Sequence, residues 1–477
     1  MKISDSCLVL LISFFSLGFV SGQSFEYTFN IKNYTSDTLI IGSYYGERQI
    51  AKDTLYGSGK GKFLWSGKEM PPQGVYMLLM KPSNTFIQFM INGKEPKFEL
   101  TTDYQENSAT KFKGSKENDL FYGYMDYLKD KRTQADTLRA RIERARKAGQ
   151  KDVTDQKSFE DLDEAVKKAQ HELIEKNPFS LTALLLKGSS DIDVPEFEGL
   201  HADTIKVRRY YYYKEHYFDN IDMNNPALIR TPFFHQKLDT YINKVVNQHP
   251  DTLIKALDFV LSKLENNSEI YRYYLAEFLN KYASMKMVGY DAMYVHLVDN
   301  YYLKGKAPWI SEENMTKMRE NANDLRPVLI GNKMPDITTY MEDGSPVRIW
   351  DVQSPYTVVL FWAPDCGHCQ KSMPFIIDFY NKYKDKGVKL ISVCTKPGEK
   401  MPTCWPALEK EKMGDFINTA DEYSRYNMKV KIKATPKLFI LDADKKIIIK
   451  DIPAEEMEKV FQEILSIDQK IKEEKLR

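Results

Sequence analysis

From Phe25 to about Asp103, short runs alternate apolar and polar residues (FEYTFNI, TLIIGSYY, GKFLWSG, GVYMLLM and TFIQFMI), separated by Gly, Pro, Asn and Ser. A period of two sends successive side chains to opposite faces of a strand, so residues 23–104 are expected to form a small all-β antiparallel sandwich or barrel. From about Asn107 to Asp324 the spacing becomes helical and rich in Lys and Glu, as in DTLRARIERARKAGQ and PDTLIKALDFVLSKLENN. Asp or Thr opens several of these segments and Gly, Asn or Pro closes them, the asymmetry expected of helix caps. A central all-α domain over residues 105–326 follows. Beyond Gly331 strands and helices alternate. An Asp343-Gly344 turn predicts a hairpin. Strands are expected at Thr357 to Phe361, Val388 to Val393, Lys437 to Leu441 and Ile447 to Lys450, with helices from about Cys366 to Tyr383, from Trp405 and from Ala454. That order predicts a C-terminal α/β domain with a mixed sheet over residues 331–477.

The first 22 residues break this scheme. Lys2, the apolar stretch Leu8 to Val20 and the small residues Ser21 and Gly22 have the order of a secretory signal peptide cut after Gly22. The stretch is short for a membrane span, which needs about 20 apolar residues. Cys7 precedes it, whereas a lipidated cysteine would follow it. The mature chain is therefore expected to be exported from the cytoplasm, without a membrane span, to a compartment where disulfides persist.

Composition narrows the function classes. Lys and Arg number 68 and Asp and Glu 67 in 477 residues, a net charge of +1. Such a chain has no global field for a polyanion, so nucleic acid is not an expected partner. The Tyr-rich string RRYYYYKEHYF, Arg208 to Phe218, reads as a helix with one packed and one wet face. His201, His216, His235, His249 and His296 fall at no close metal-ligand spacing, and no metal is expected.

Cysteine placement then points to one region. Cys366, Cys369, Cys394 and Cys404 all lie in the last quarter of the chain, where a disulfide scaffold would spread its bridges. In FWAPDCGHCQ, residues 361–370, the first pair follows directly on a predicted strand. A structural zinc site would need two more close ligands, and a staple this short restrains little chain entropy. A redox pair has a positive case. At the start of the next helix, free backbone N–H groups and the macrodipole stabilise an anion, which lowers the pKa of Cys366 and makes it the attacking thiolate. His368, when protonated, acts in the same direction. Cys369, three residues on, lies on the same face and can resolve a mixed disulfide. Asp365 opposes the thiolate unless it caps the helix instead. For Cys394 and Cys404, a second disulfide, an auxiliary relay pair and two free thiols are all compatible with the loop between them.

The GNKMPD entry, FWAPDCGHC, Pro374 eight residues after Cys366, and ATPKLFILD with Thr435-Pro436 together resemble the thioredoxin family, in particular the TlpA/ResA-type envelope thiol-disulfide oxidoreductases. The resemblance covers residues from about 331 to 465. It implies a thioredoxin-like fold, a kink at Pro374, a cis proline at Pro436 facing the dithiol, and a substrate side formed by Trp362, Thr435 and Pro436. It implies protein thiols and disulfides as substrates, a separate partner that recycles the dithiol, and no cofactor beyond the Cys366–Cys369 pair. Two acids of the family pattern are absent: Leu360 stands six residues before the first cysteine, and Ser372 three after the second. Gly367-His368 instead resembles protein disulfide isomerase. A shift from about −270 to about −180 mV corresponds to a disulfide roughly 4 kcal/mol less stable, so a readily reduced pair is expected. The competing expectation is an envelope binding or assembly protein in which this module is mainly a docking fold.

Overall fold

A computed structural model describes residues 23–106, 110–149 and 153–475. The expected signal peptide, residues 1–22, lies outside the described residues. The protein is multidomain, with a β-rich N-terminal region, a central helical region and a C-terminal α/β domain, and it divides into two compact units at Val245/Val246.

In the first unit, eight strands come first: β1 (Phe25–Lys32), β2 (Thr38–Tyr45), β3 (Arg48–Tyr56), β4 (Lys62–Gly67), β5 (Gly74–Met80), β6 (Thr85–Ile91), β7 (Lys97–Asp103) and β8 (Lys111–Lys113). They form two four-stranded sheets, ordered β4-β1-β7-β8 and β3-β2-β5-β6. Tyr27 and Phe29 of one sheet and Leu78 and Phe89 of the other share a single core, as in a sandwich. One pairing departs from the antiparallel expectation: β1 and β7 run parallel, Phe29 opposite Leu100. Strand β3 carries little apolar alternation because it is an edge strand, exposed at most positions. Helices α1 (Lys116–Lys147), α2 (Val153–Lys176), α3 (Leu181–Ser189), α4 (Ala202–His216) and α5 (Pro232–Thr240) follow. Ser115 caps α1 and Ser180 caps α3, each side chain accepting an amide hydrogen bond within the first turn.

The second unit contains α6 (Pro250–Leu264), α7 (Ser268–Ser284), α8 (Asp291–Leu297) and α9 (Glu312–Leu325), followed by the α/β domain. The helices of residues 105–326 are thus shared between the two units. The α/β domain comprises β9 (Thr338–Tyr340), β10 (Pro346–Arg348), β11 (Tyr356–Trp362), α10 (Gly367–Tyr383), β12 (Val388–Cys394), α11 (Cys404–Lys410), β13 (Ile417–Ala420), β14 (Lys437–Leu441), β15 (Ile447–Lys450) and α12 (Met457–Lys475). Its seven strands are ordered β10-β9-β13-β12-β11-β14-β15. β11 runs parallel to β12 and antiparallel to β14, a mixed sheet as the pattern predicts.

β11, YTVVLFW, is buried at every position because neighbours flank both edges and side chains cover both faces. Val358, Leu360 and Trp362 share a core with Ile376 and Phe379 of α10 and Phe461 of α12, while Val359 and Phe361 pack with Tyr426 and Phe439 on the other face. Each such side chain stabilises the fold by roughly 1.5–3 kcal/mol, which fixes the register of β11 and with it the position of residues 363–366.

Candidate active site

The turn after β11 delivers Cys366 to the N-cap of α10. Cys366 has extended backbone geometry, and its sulfur accepts a hydrogen bond from the Cys369 amide at 3.1 Å, the place an N-cap oxygen would take. The Cys366 thiol also reaches the Thr435 carbonyl at 3.3 Å, on the loop with the cis Thr435-Pro436 peptide. Both thiols are free; Cys366 is half-buried and Cys369 is 1% exposed. Burial, the largest single influence, raises the Cys366 pKa, but hydrogen bonds from the side chains of Cys369 and Thr435 and from the amides of Cys369 and His368 outweigh it, so this thiol titrates below its ordinary value. Burial, then the hydrogen bond to Cys366, push Cys369 up to about 12. The arrangement favours one thiolate at the helix end and keeps the second sulfur protonated behind it.

Asp365 does not cap the helix; the cysteine does. Its carboxylate turns to Lys396, 2.6 Å away in the loop after β12. The Lys396 hydrogen bond, against the opposing effect of burial, holds the Asp365 carboxyl below the usual carboxylate range. Lys396 carries no motif and sits far along the chain from the dithiol, so sequence spacing offers no signal for it.

Thr435, Pro436 and His368 meet beside the dithiol. With Ser372, Ile376 and Leu438 they line a cavity of about 390 Å³ whose further wall is formed by residues from Asp451 to Glu455. Trp362 departs from the substrate-side expectation. It is 1% exposed and packs in the core with Cys369 and Met373, because an even-numbered position on β11 faces α10. Pro374 lies inside α10, as the resemblance implies. Leu360 is fully buried in the same core, and Ser372 lines the cavity where an acid is usual. The acids bordering this cavity are Asp451, ion-paired to Lys437 at 2.6 Å, and the exposed Glu455.

Of the three alternatives for the second pair, the structure holds the disulfide: Cys394 and Cys404 are bonded, Cα atoms 6.1 Å apart, with exposures of 1% and 0%. A larger cleft of about 810 Å³ between α1 and α2 contains no cysteine or histidine. Among the described residues, no cluster of three or more His, Cys, Asp or Glu side chains suits a metal, and no helix is long and apolar enough to cross a membrane.

Comparison with known proteins bears on each region. The Redoxin family model matches residues 329–465. Residues 179–327 and 25–121 match two domains of unknown function, DUF5106 and DUF4369. A thiol-disulfide oxidoreductase ResA of Bacillus cereus is 24% identical over 129 residues, 27% of this chain and 73% of that protein. ResA of Oceanobacillus iheyensis is 37% identical over 75 residues, 15% of this chain and 39% of that protein. A solved thioredoxin-like protein from Bacteroides caccae aligns with a TM-score of 0.43 at 16% identity, covering 57% of this chain and 97% of its own. Strand order, helix-capping dithiol, Redoxin match and ResA relatives converge: the C-terminal domain belongs to the thioredoxin family, TlpA/ResA-like, and is a thiol-disulfide oxidoreductase.

Proposed function

We propose that this chain exchanges disulfides with proteins of the bacterial envelope through the Cys366-Gly367-His368-Cys369 dithiol. The observation that carries the reading is the unequal pair: Cys366 at the helix N-cap, lowered and accessible, and Cys369 one turn behind it, raised and buried. In the reducing direction, the Cys366 thiolate attacks one sulfur of a substrate disulfide. A Cys366–substrate disulfide forms, and the other substrate sulfur leaves as a thiolate that takes up a proton. Cys369 then gives up its proton and attacks the Cys366 sulfur, which closes the Cys366–Cys369 disulfide and releases the second substrate thiol. Two electrons and two protons pass to the substrate, and no cofactor beyond the dithiol takes part. The reverse sequence oxidises a substrate dithiol.

Thr435 and Pro436 present a backbone edge beside Cys366 on which an extended substrate segment can pair. His368 lines the adjoining cavity, and its backbone amide is one of the donors to the Cys366 sulfur. In this reading the protein works in the periplasm or envelope of a Gram-negative cell; export to an oxidising compartment is supported by the Lys2 and Leu8 to Val20 pattern and by the buried Cys394–Cys404 disulfide. A separate redox partner returns the dithiol to its working state.

The test is mechanism-based trapping in native envelopes. Cys369→Ser cannot resolve and should accumulate mixed disulfides through Cys366, which vanish in the Cys366→Ser, Cys369→Ser double variant. Absence of adducts would favour the alternative, a binding or assembly protein whose redoxin domain is a docking fold.

A further inference from the structure

We infer that Lys396 is a positioning residue for the nucleophile: by pairing with Asp365 it cancels the negative charge that would otherwise stand next to the Cys366 thiolate. The inference rests on Cys366 being the attacking sulfur. Asp365 is the residue immediately before Cys366, and an unpaired carboxylate there disfavours a second negative charge. Its partner, Lys396, lies 2.6 Å away, with Lys396 21% exposed and Asp365 71% exposed.

The lysine is held from several directions. Thr395, one residue before it, donates its amide and its hydroxyl to the Trp362 carbonyl at 2.8 and 3.0 Å, tying the loop to the end of the strand that leads into the dithiol. Two residues after it, the Gly398 amide donates to the Glu422 carbonyl at 2.8 Å. The Cys394–Cys404 disulfide closes the loop on both sides. An exposed ion pair between free side chains contributes little because ordering both costs entropy. Here the backbone carrying the lysine is already fixed, so less remains to be ordered when the pair forms. The other groups acting on Cys366 are the Cys369 thiol and the amides of Cys369 and His368 on its own helix, and Thr435 on the cis-proline loop. Lys400 acts on Asp365 from the same loop as Lys396.

The experiment measures the alkylation rate of Cys366 by iodoacetamide, followed by mass spectrometry of the reduced full-length protein at a pH below the thiol's titration. Lys396→Met should slow the reaction about threefold to tenfold through a smaller thiolate fraction. Lys396→Arg should keep the original rate, and Asp365→Asn added to Lys396→Met should restore it. A simple structural role for Lys396 would not be reversed by removing Asp365. An unchanged rate in Lys396→Met, or a double variant as slow as the single one, overturns the inference. Alkylation requires no turnover, so these outcomes are independent of whether Cys369→Ser traps a substrate.

Discussion

Two cysteine pairs stand at the ends of neighbouring strands, and their fates differ. β11 and β12 run side by side with Trp362 opposite Cys394. Beyond β11 the chain turns at once into α10, so Cys366 caps a long helix with its sulfur half in solvent. Beyond β12 it makes an excursion through a longer loop before Cys404 opens the short helix α11, and that sulfur folds back onto Cys394 inside the core. Residue type is the same, and access and hydrogen bonding separate the roles. A sulfur that caps a helix and meets solvent can exchange, whereas one sealed from solvent and already bonded can only hold a loop.

The most forceful way to break this contrast is substitution. Cys366→Ser should lower the rate of disulfide exchange with a model protein disulfide by at least about a thousandfold, because the attacking thiolate is gone. The Cys394→Ser, Cys404→Ser double variant should retain most of the rate, and a comparable loss there would make the second pair a relay. A smaller effect should appear in the pH dependence of alkylation. The thiolate is the reactive form, so Cys366, titrating below the ordinary thiol value, should be labelled near neutral pH, while Cys369, at about 12, should not. The ratio of the two rates should exceed about a hundredfold even after the lower intrinsic nucleophilicity of the more acidic thiol is included. Equal labelling would remove the distinction between attacking and resolving sulfur. The smallest effect is on stability. Opening the Cys394–Cys404 loop should cost about 2 kcal/mol in denaturant unfolding, against little change for Cys366→Ser in the reduced protein.

Much of the fold is legible because its signals are local. The edges of β14 and β15 coincide with the expected runs, and the Asp343-Gly344 hairpin appears as β9 and β10. β13 escapes recognition: four residues, Ile417–Ala420, are too few for a period to declare itself. β3 escapes it for the opposite reason, since an edge strand facing solvent needs no apolar alternation. The parallel pairing of β1 with β7 has no local signature, because closure of the sandwich brings together strands far apart in the chain. In the site, the dithiol, Thr435-Pro436 and Pro374 are all readable as short motifs. Trp362 is misplaced by the motif because spacing does not say which face of a fully buried strand meets α10.

What the order of residues settled without help was chemistry carried by near neighbours: two thiols three apart behind a buried strand, at the start of a helix. Such contacts form within one turn and depend on little else. The balance around Cys366 was settled by long-range packing. Thr435 reaches the sulfur from 69 residues away, and Lys396 reaches Asp365 across 31. Electrostatic and hydrogen-bond effects on a thiol depend on distance in space, and that distance exists only once the sheet has aligned β11, β12 and β14.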